Sequence, residues 1–195
     1  MIWHDVEQNT DEWQALRAEK LTTSTFKDLF AAKTTAAYKK AIYRPVYERL
    51  TGEQPESFSN FWTDRGHDVE PLAVEAYEME TFNEVLPPGF FELNEYVGSS
   101  PDGLIGKDGL LEIKSPSFNV MIDYLLSGKL PSIYKWQVYG QMYVTGRKWV
   151  DFCAFHPRLK PLIIRVHRDE AIMEELRIKL DESVEEVKNI INKIK

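Results

Sequence analysis

The run G-S-S-P-D-G-L-I-G-K-D-G-L-L-E-I-K-S-P, from Gly98 to Pro116, decides the fold. Gly103, Gly106 and Gly109 lie between Asp102 and Glu112, and Asp108-Gly109 is the dipeptide that suits a tight reversal between two short strands. On the second strand Leu111, Glu112, Ile113 and Lys114 alternate, so Glu112 and Lys114 point one way and the two aliphatic residues the other. If Asp102 faces them across the turn, two hard oxygen donors and one ammonium converge. That set suits a divalent metal, magnesium first, beside an anionic substrate. A surface hairpin with an ordinary Glu/Lys pair is the competing account. Pro101 and Gly103 around the acid, the turn residues in the gap, and Ser115-Pro116 ending the strand favour the metal site.

The chain has 195 residues, 43% hydrophobic and 12% aromatic, enough for one domain over residues 1–195 with a full core. Its single cysteine, Cys153, sits in the apolar run W-V-D-F-C-A-F and has no internal partner, which fits a reducing compartment. No stretch approaches the roughly 20 apolar residues that span a bilayer, so the expectation is a cytoplasmic protein. A net charge of −7 argues against a protein that coats DNA, because non-specific affinity comes from Lys and Arg neutralising phosphates. A DNA enzyme with this charge must concentrate its positive potential locally.

Ahead of the hairpin, Thr10-Asp11-Glu12 reads as the cap and acidic first turn of a short helix through Ala18, with Arg17 near its end. A second helix is predicted from Thr22-Thr23-Ser24, carrying Phe26, Leu29 and Phe30 inward. On the residues alone Thr22 and Ser24 are caps, although such an N-terminus is also an anion site. From Lys33 to Tyr47 the chain is basic, with Lys33, Lys39, Lys40 and Arg44 among tyrosines. That stretch is either a solvated face or a track for a DNA backbone. Pro45 is expected to kink it. A further helix opens at Phe61-Trp62 and contains Glu70, an ordinary helical glutamate by itself, with a bend or restart expected between Gly66 and Pro71.

Three short strands are predicted over Phe82–Leu86, Phe90–Leu93 and Tyr96–Ser99. After the hairpin come a helix over Phe118–Leu126 and another opened by Pro131. On the latter Ile133, Trp136, Val138, Met142 and Val144 are core candidates, and Gln137 and Gln141 share a face. Strands over Lys148–Phe155 and Leu162–Val166 complete a sheet, and a long amphipathic helix from Asp169 covers it. The order predicts an α/β domain with a central mixed β-sheet flanked by helices, as in a restriction-endonuclease-like core, with the hairpin at one sheet edge.

At S-P-D-G-L and L-E-I-K-S-P the chain resembles the PD-(D/E)xK nuclease superfamily, and within it the phage lambda exonuclease and YqaJ-like recombination nucleases. The resemblance extends over most of the chain. It implies that Asp102, Glu112 and the Ile113 carbonyl hold Mg²⁺, with Mn²⁺ as a substitute. Glu70, in G-H-D-V-E, becomes a third acid for a second ion or its water. Lys114 positions or deprotonates the attacking water or stabilises the hydroxide, a role eased if neighbouring cations lower its pKa. By position Arg17, Ser24 and Ser100, with Thr22 as a weaker candidate, hold the terminal 5′-phosphate. Gln137 is assigned to substrate phosphate, and Lys135 less firmly.

The resemblance further implies 5′ to 3′ digestion of one strand from double-stranded DNA ends by a homotrimer ring. The 3′ overhang would pass to a single-strand annealing protein during phage or prophage recombination in a bacterial cell. The region N-F-W-T-D-R-G leaves open whether Phe61, Trp62 or neither splits the duplex. A DNA endonuclease on the same core and a catalytically silent DNA-binding module are the rival readings.

Overall fold

The computed structural model describes residues 1–55 and 61–195, and of residues 61–68 the backbone only. The expected α/β architecture is present, but the strands form two mixed sheets rather than one. The smaller sheet orders β1 (Ile2–His4), β4 (Phe90–Asn94), β5 (Val97–Ser99) and β2 (Leu21–Thr22). The larger orders β3 (Val85–Leu86), β6 (Gly103–Ile105), β7 (Gly109–Lys114), β8 (Trp149–Ala154) and β9 (Leu162–His167). Pairings β2–β5 and β7–β8 are parallel and the others antiparallel. Among the described residues, seven helices flank them: α1 (Asp11–Arg17), α2 (Phe26–Leu29), α3 (Ala36–Thr51), α4 (Phe61–Thr81), α5 (Phe118–Ser127), α6 (Lys135–Thr145) and α7 (Glu170–Ile194).

The hairpin is therefore not at a sheet edge. The crossover through α5 and α6 returns β8 parallel to β7, which leaves β7 in the middle with both faces covered. Its alternation sorts the two cores. Leu110 joins the large apolar cluster that includes Val138 and Met142 of α6. Leu111 and Ile113 join a second cluster with Ala73 and Tyr77 of α4. Leu110 and Leu111 are both fully buried, each contributing about 1.5–3 kcal/mol by leaving water. Cys153 belongs to the second cluster, where burial pushes its thiol up to about 12.

The reversal also differs from expectation. Ile105 pairs with Gly109, so the turn is Gly106-Lys107-Asp108, with the left-handed residue at Gly106 (φ +50°). Gly109 is already in the strand. A β-carbon there would fall 2.2 Å from the Trp149 ring, so its lack of a side chain serves packing against β8.

Other expectations hold in part. Thr10 caps α1 by accepting from the Trp13 N–H, as predicted. The helix predicted from Thr22 is instead the strand β2, a single 3₁₀ turn over Thr23–Thr25 and the four-residue α2. Neither Thr22 nor Thr25 makes a side-chain cap, because Thr22 is drawn into parallel pairing with Gly98. That removes the expected helix N-terminus as an anion site. Helices α3 and α4 run through Pro45 and Pro71 without a break. Ile133 is half exposed instead of core, since Ser132–Tyr134 form a 3₁₀ turn before α6 begins. Helix α7 packs chiefly on α3 and α6. Among the described residues, no helix is long and apolar enough to cross a membrane.

Candidate active site

Asp102 closes the start of β6 against β7. Its N–H donates to the Leu111 carbonyl (3.0 Å), and its Oδ2 accepts from the Ile113 N–H (2.6 Å). These two bonds set the carboxyl opposite Glu112, since Gly103 pairs with Leu111. Glu112 is 1% exposed and heavily engaged. Its Oε1 accepts from Gln137 Nε2 (2.6 Å) and pairs with the Lys114 ammonium, and its Oε2 accepts from the Gln141 amide. The ammonium also stands 5.5 Å from the Tyr134 ring centroid. Glu70 of α4 lies close enough for its charge to act on Asp102.

The electrostatics follow from that crowding. Burial holds Asp102 well above the usual carboxylate range; the charges of Glu112 and Glu70 push the same way, while Lys114 and the Ile113 N–H oppose them. For Lys114, burial works to lower the pKa, but the Glu112 and Asp102 charges outweigh it and hold the group above the ordinary lysine value. The expectation of cations depressing Lys114 is thus reversed, because its near neighbours are acids.

Among the described residues, no three His, Cys, Asp or Glu side chains close on one point as a formed cation cage. The reason is visible at Glu112, whose two oxygens are turned onto Lys114, Gln137 and Gln141. The donor set nonetheless fits a hard divalent cation. The charges of Glu112 and Glu70 both act on the Asp102 carboxyl, in a low-dielectric position where like charges are costly. In addition, Gln141 Oε1, fully buried, has no hydrogen-bond partner among the described residues. A buried amide oxygen without a donor is uncommon, and a water held at the cluster would satisfy it.

The residues expected to hold a phosphate fall into two groups. Arg17, at the end of α1, lies 4.2 Å over the Trp13 ring, and among the described residues its guanidinium has no hydrogen-bond or ion-pair partner. Burial, followed by the nearby Arg44, lowers its pKa to about 10, with Glu48 opposing. Trp13 in turn donates its indole N–H to Ser100 Oγ (2.9 Å), and that hydroxyl donates to the Gly89 carbonyl (3.1 Å). Gln8 Nε2 donates to the Pro101 carbonyl (2.7 Å). The N-terminal segment and the Ser100-Pro101-Asp102 junction are therefore one assembly. Ser24 is exposed, 3.3 Å from the Thr22 hydroxyl.

Gln137 is committed to Glu112 here rather than standing clear for a phosphate. Lys135 lies over Trp136. The side chains of Phe61, Trp62 and His67 fall outside the described ones.

The sequence gives Gln141 no role beyond sharing a face with Gln137. The only available signal was its spacing of four from Gln137 on a helix facing the hairpin. Gln141→Leu keeps a side chain of similar size but removes one of the donors to Glu112. Affinity of the cluster for a divalent cation should fall about 10- to 100-fold, the range seen when groups that orient metal-binding side chains are lost. Calorimetric titration with a divalent cation beside a thermal melt checks this; an unchanged dissociation constant would reject the orienting role.

The sequence pattern of the YqaJ-like viral recombinase domain matches residues 12–148, well over half of the chain. The fold matches an alkaline exonuclease, LHK-Exo, from Laribacter hongkongensis at 32% identity and a TM-score of 0.88, covering 95% of this chain and 96% of that one. The same figures hold for LHK-Exo in complex with dAMP. A phage-related exonuclease from Haemophilus somnus 129PT matches at 14% identity and a TM-score of 0.67, over 90% of this chain and 96% of that one, a likeness of fold. No curated protein sequence gives a significant match.

Proposed function

Because the chain belongs to the family of YqaJ-like viral recombinase domains, a family of nucleases acting on DNA, we propose that it is a magnesium-dependent exonuclease. It would degrade one strand of double-stranded DNA in the 5′ to 3′ direction from 5′-phosphorylated ends. The observation that carries this reading is the buried set of Asp102, Glu112 and Lys114, with the charge of Glu70 acting on Asp102 and the Arg17–Trp13–Ser100 assembly joined to it through Pro101.

Asp102, Glu112 and the Ile113 carbonyl would hold one Mg²⁺ or Mn²⁺, and Glu70 would help with a second. A divalent ion bound there supplies Lewis acidity toward the phosphodiester and lowers the pKa of water. The chain's own residues do the rest. Gln137 and Gln141 fix the rotamer of Glu112 by donating to both of its oxygens. The Ile113 N–H does the same for Asp102. Lys114, held as an ammonium in its acidic setting, offsets negative charge growing on the phosphoryl oxygens. Arg17, Ser24 and Ser100, with Thr22 beside them, would hold the terminal phosphate. The product, a 3′ overhang, suits a single-strand annealing protein in phage-type recombination, and a homotrimer encircling the duplex would keep the enzyme on its track.

Three DNA forms test the reading: linear duplex with 5′-phosphate, linear duplex with 5′-hydroxyl, and a covalently closed circle, each with magnesium or with a chelator. The expected result is digestion of the phosphorylated linear form in magnesium only. Cutting of the circle would favour an endonuclease. Binding without any loss of nucleotides would favour a DNA-binding module.

A further inference from the structure

Tyr134 has no part in the roles assigned above, yet it stands on the face of the larger sheet that carries Glu112 and Lys114. Glu112 and Phe152 are register partners in the parallel pairing of β7 with β8, so their side chains share that face. The Tyr134 ring packs on Phe152 with centroids 5.1 Å apart, and the Lys114 ammonium stands 5.5 Å from the Tyr134 centroid. The 3₁₀ turn over Ser132–Tyr134, just ahead of α6, delivers it there.

Its hydroxyl is also engaged from behind. Tyr124 of α5 meets it edge-on, with ring centroids 6.5 Å apart and 87° between the planes. Burial first, and then the hydrogen bond to Tyr134, raise the Tyr124 pKa, so Tyr124 keeps its proton and donates it to the Tyr134 oxygen. A phenol oxygen that accepts one hydrogen bond still has its own O–H to give, and polarisation along the chain strengthens that second bond. Among the described residues, the ring and polar contacts of Tyr134 are with Tyr124, Phe152 and Lys114, and none of them takes its proton.

We propose that Tyr134 is a catalytic residue whose hydroxyl donates a hydrogen bond to one non-bridging oxygen of the phosphate being cleaved, beside the Lys114 ammonium. The inference rests on the exonuclease reading for the identity of the substrate. In hydrolysis the water oxygen bonds to phosphorus and keeps one proton, while the ester oxygen of the departing nucleotide leaves with the other. Tyr134 keeps its own proton throughout and acts by its hydrogen bond alone. An ammonium on a flexible stem answers charge from many directions, whereas a phenol on a ring packed between Phe152 and Tyr124 answers one oxygen.

That directionality supplies the test. Single-turnover rates are measured on 5′-phosphorylated duplexes whose first linkage is all oxygen, or carries sulfur, a poor acceptor, at one or the other non-bridging position. Tyr134→Phe keeps the ring on Phe152 and should slow the all-oxygen strand about ten- to a hundredfold, the worth of one hydrogen bond to a charged group. In that variant the penalty for sulfur should shrink by a similar factor at one position and stay at its wild-type value at the other. Tyr124→Phe leaves the Tyr134 hydroxyl in place and should show the same pattern at about threefold.

A loss of rate shared equally by all three strands would mark a structural role and overturn the proposal, as would a wild-type rate in Tyr134→Phe. Should Tyr134→Phe fail to fold, unchanged sulfur penalties in Tyr124→Phe would overturn it. A wild type that digests no strand would overturn the nuclease reading and this proposal with it, whereas an active wild type whose sulfur penalties persist in both variants would overturn this proposal alone.

Discussion

Replacing Lys114 by alanine should lower turnover about a hundred- to a thousandfold while the protein still binds duplex ends, the range lost when one preorganised group that stabilises charge is removed. The size of the effect follows from where the ammonium sits. It pairs with Glu112 and feels the charges of both Glu112 and Asp102, so it is the positive side chain beside those two buried carboxyls. No other cationic side chain pairs with Glu112 among the described residues. Binding should persist because Arg17 belongs to α1, which Lys114 does not touch. Single-turnover rates on a 5′-phosphorylated duplex, with anisotropy for binding, separate the two quantities. Turnover within tenfold of wild type would remove Lys114 from the chemistry.

Asp151→Ala should cost on the order of 3 kcal/mol of folding stability, the largest loss expected from any polar substitution away from the active site. Asp151 lies in β8 opposite Leu111, is 1% exposed, and accepts from the Tyr77 hydroxyl (2.6 Å) and from Arg165 Nε and Nη2 (2.8 Å each). One carboxylate thus ties α4, β8 and β9 together. Among the described residues, its loss leaves the Tyr77 hydroxyl with only the 3.4 Å contact from Asn83. Arg165, whose side chain is 44% exposed, can turn to water, which keeps the cost from rising further. Tyr77→Phe, which removes one bond and keeps the packing, should cost about 1 kcal/mol. Urea unfolding of both variants measures the difference, and a loss below 1 kcal/mol for Asp151→Ala would show that the carboxylate is not a cross-brace.

Much of this arrangement is legible in the sequence because it depends on alternation and turn chemistry over a short span. The period of two along Leu111 to Lys114 fixes which side chains share a face, and the observed Glu112–Lys114 pair and the apolar partners of Leu111 and Ile113 follow that period. What escapes is set by contacts distant in the chain. Nothing local distinguishes Asp151 in the run W-V-D-F-C-A-F from a surface acid; its partners Tyr77 and Arg165 come from two other elements. Gly109 reads as a turn residue, yet the constraint on it is Trp149, 40 positions later. Thr22 reads as a cap, but pairing with Gly98, 76 residues away, makes it a strand. Local propensity is decisive only where no distant partner competes for the same backbone groups.

The junction Ser99-Ser100-Pro101-Asp102 connects the last residue of β5 in the smaller sheet to the first turn of β6 in the larger. On the proposed reading, the groups that grip the strand's terminus and those that break its next linkage hang from opposite ends of a rigid peptide only as long as Pro101. The molecule then carries a built-in measuring gauge. The increment removed per cycle would be dictated by covalent geometry rather than by loop motion, so the enzyme should count off single nucleotides whatever their bases.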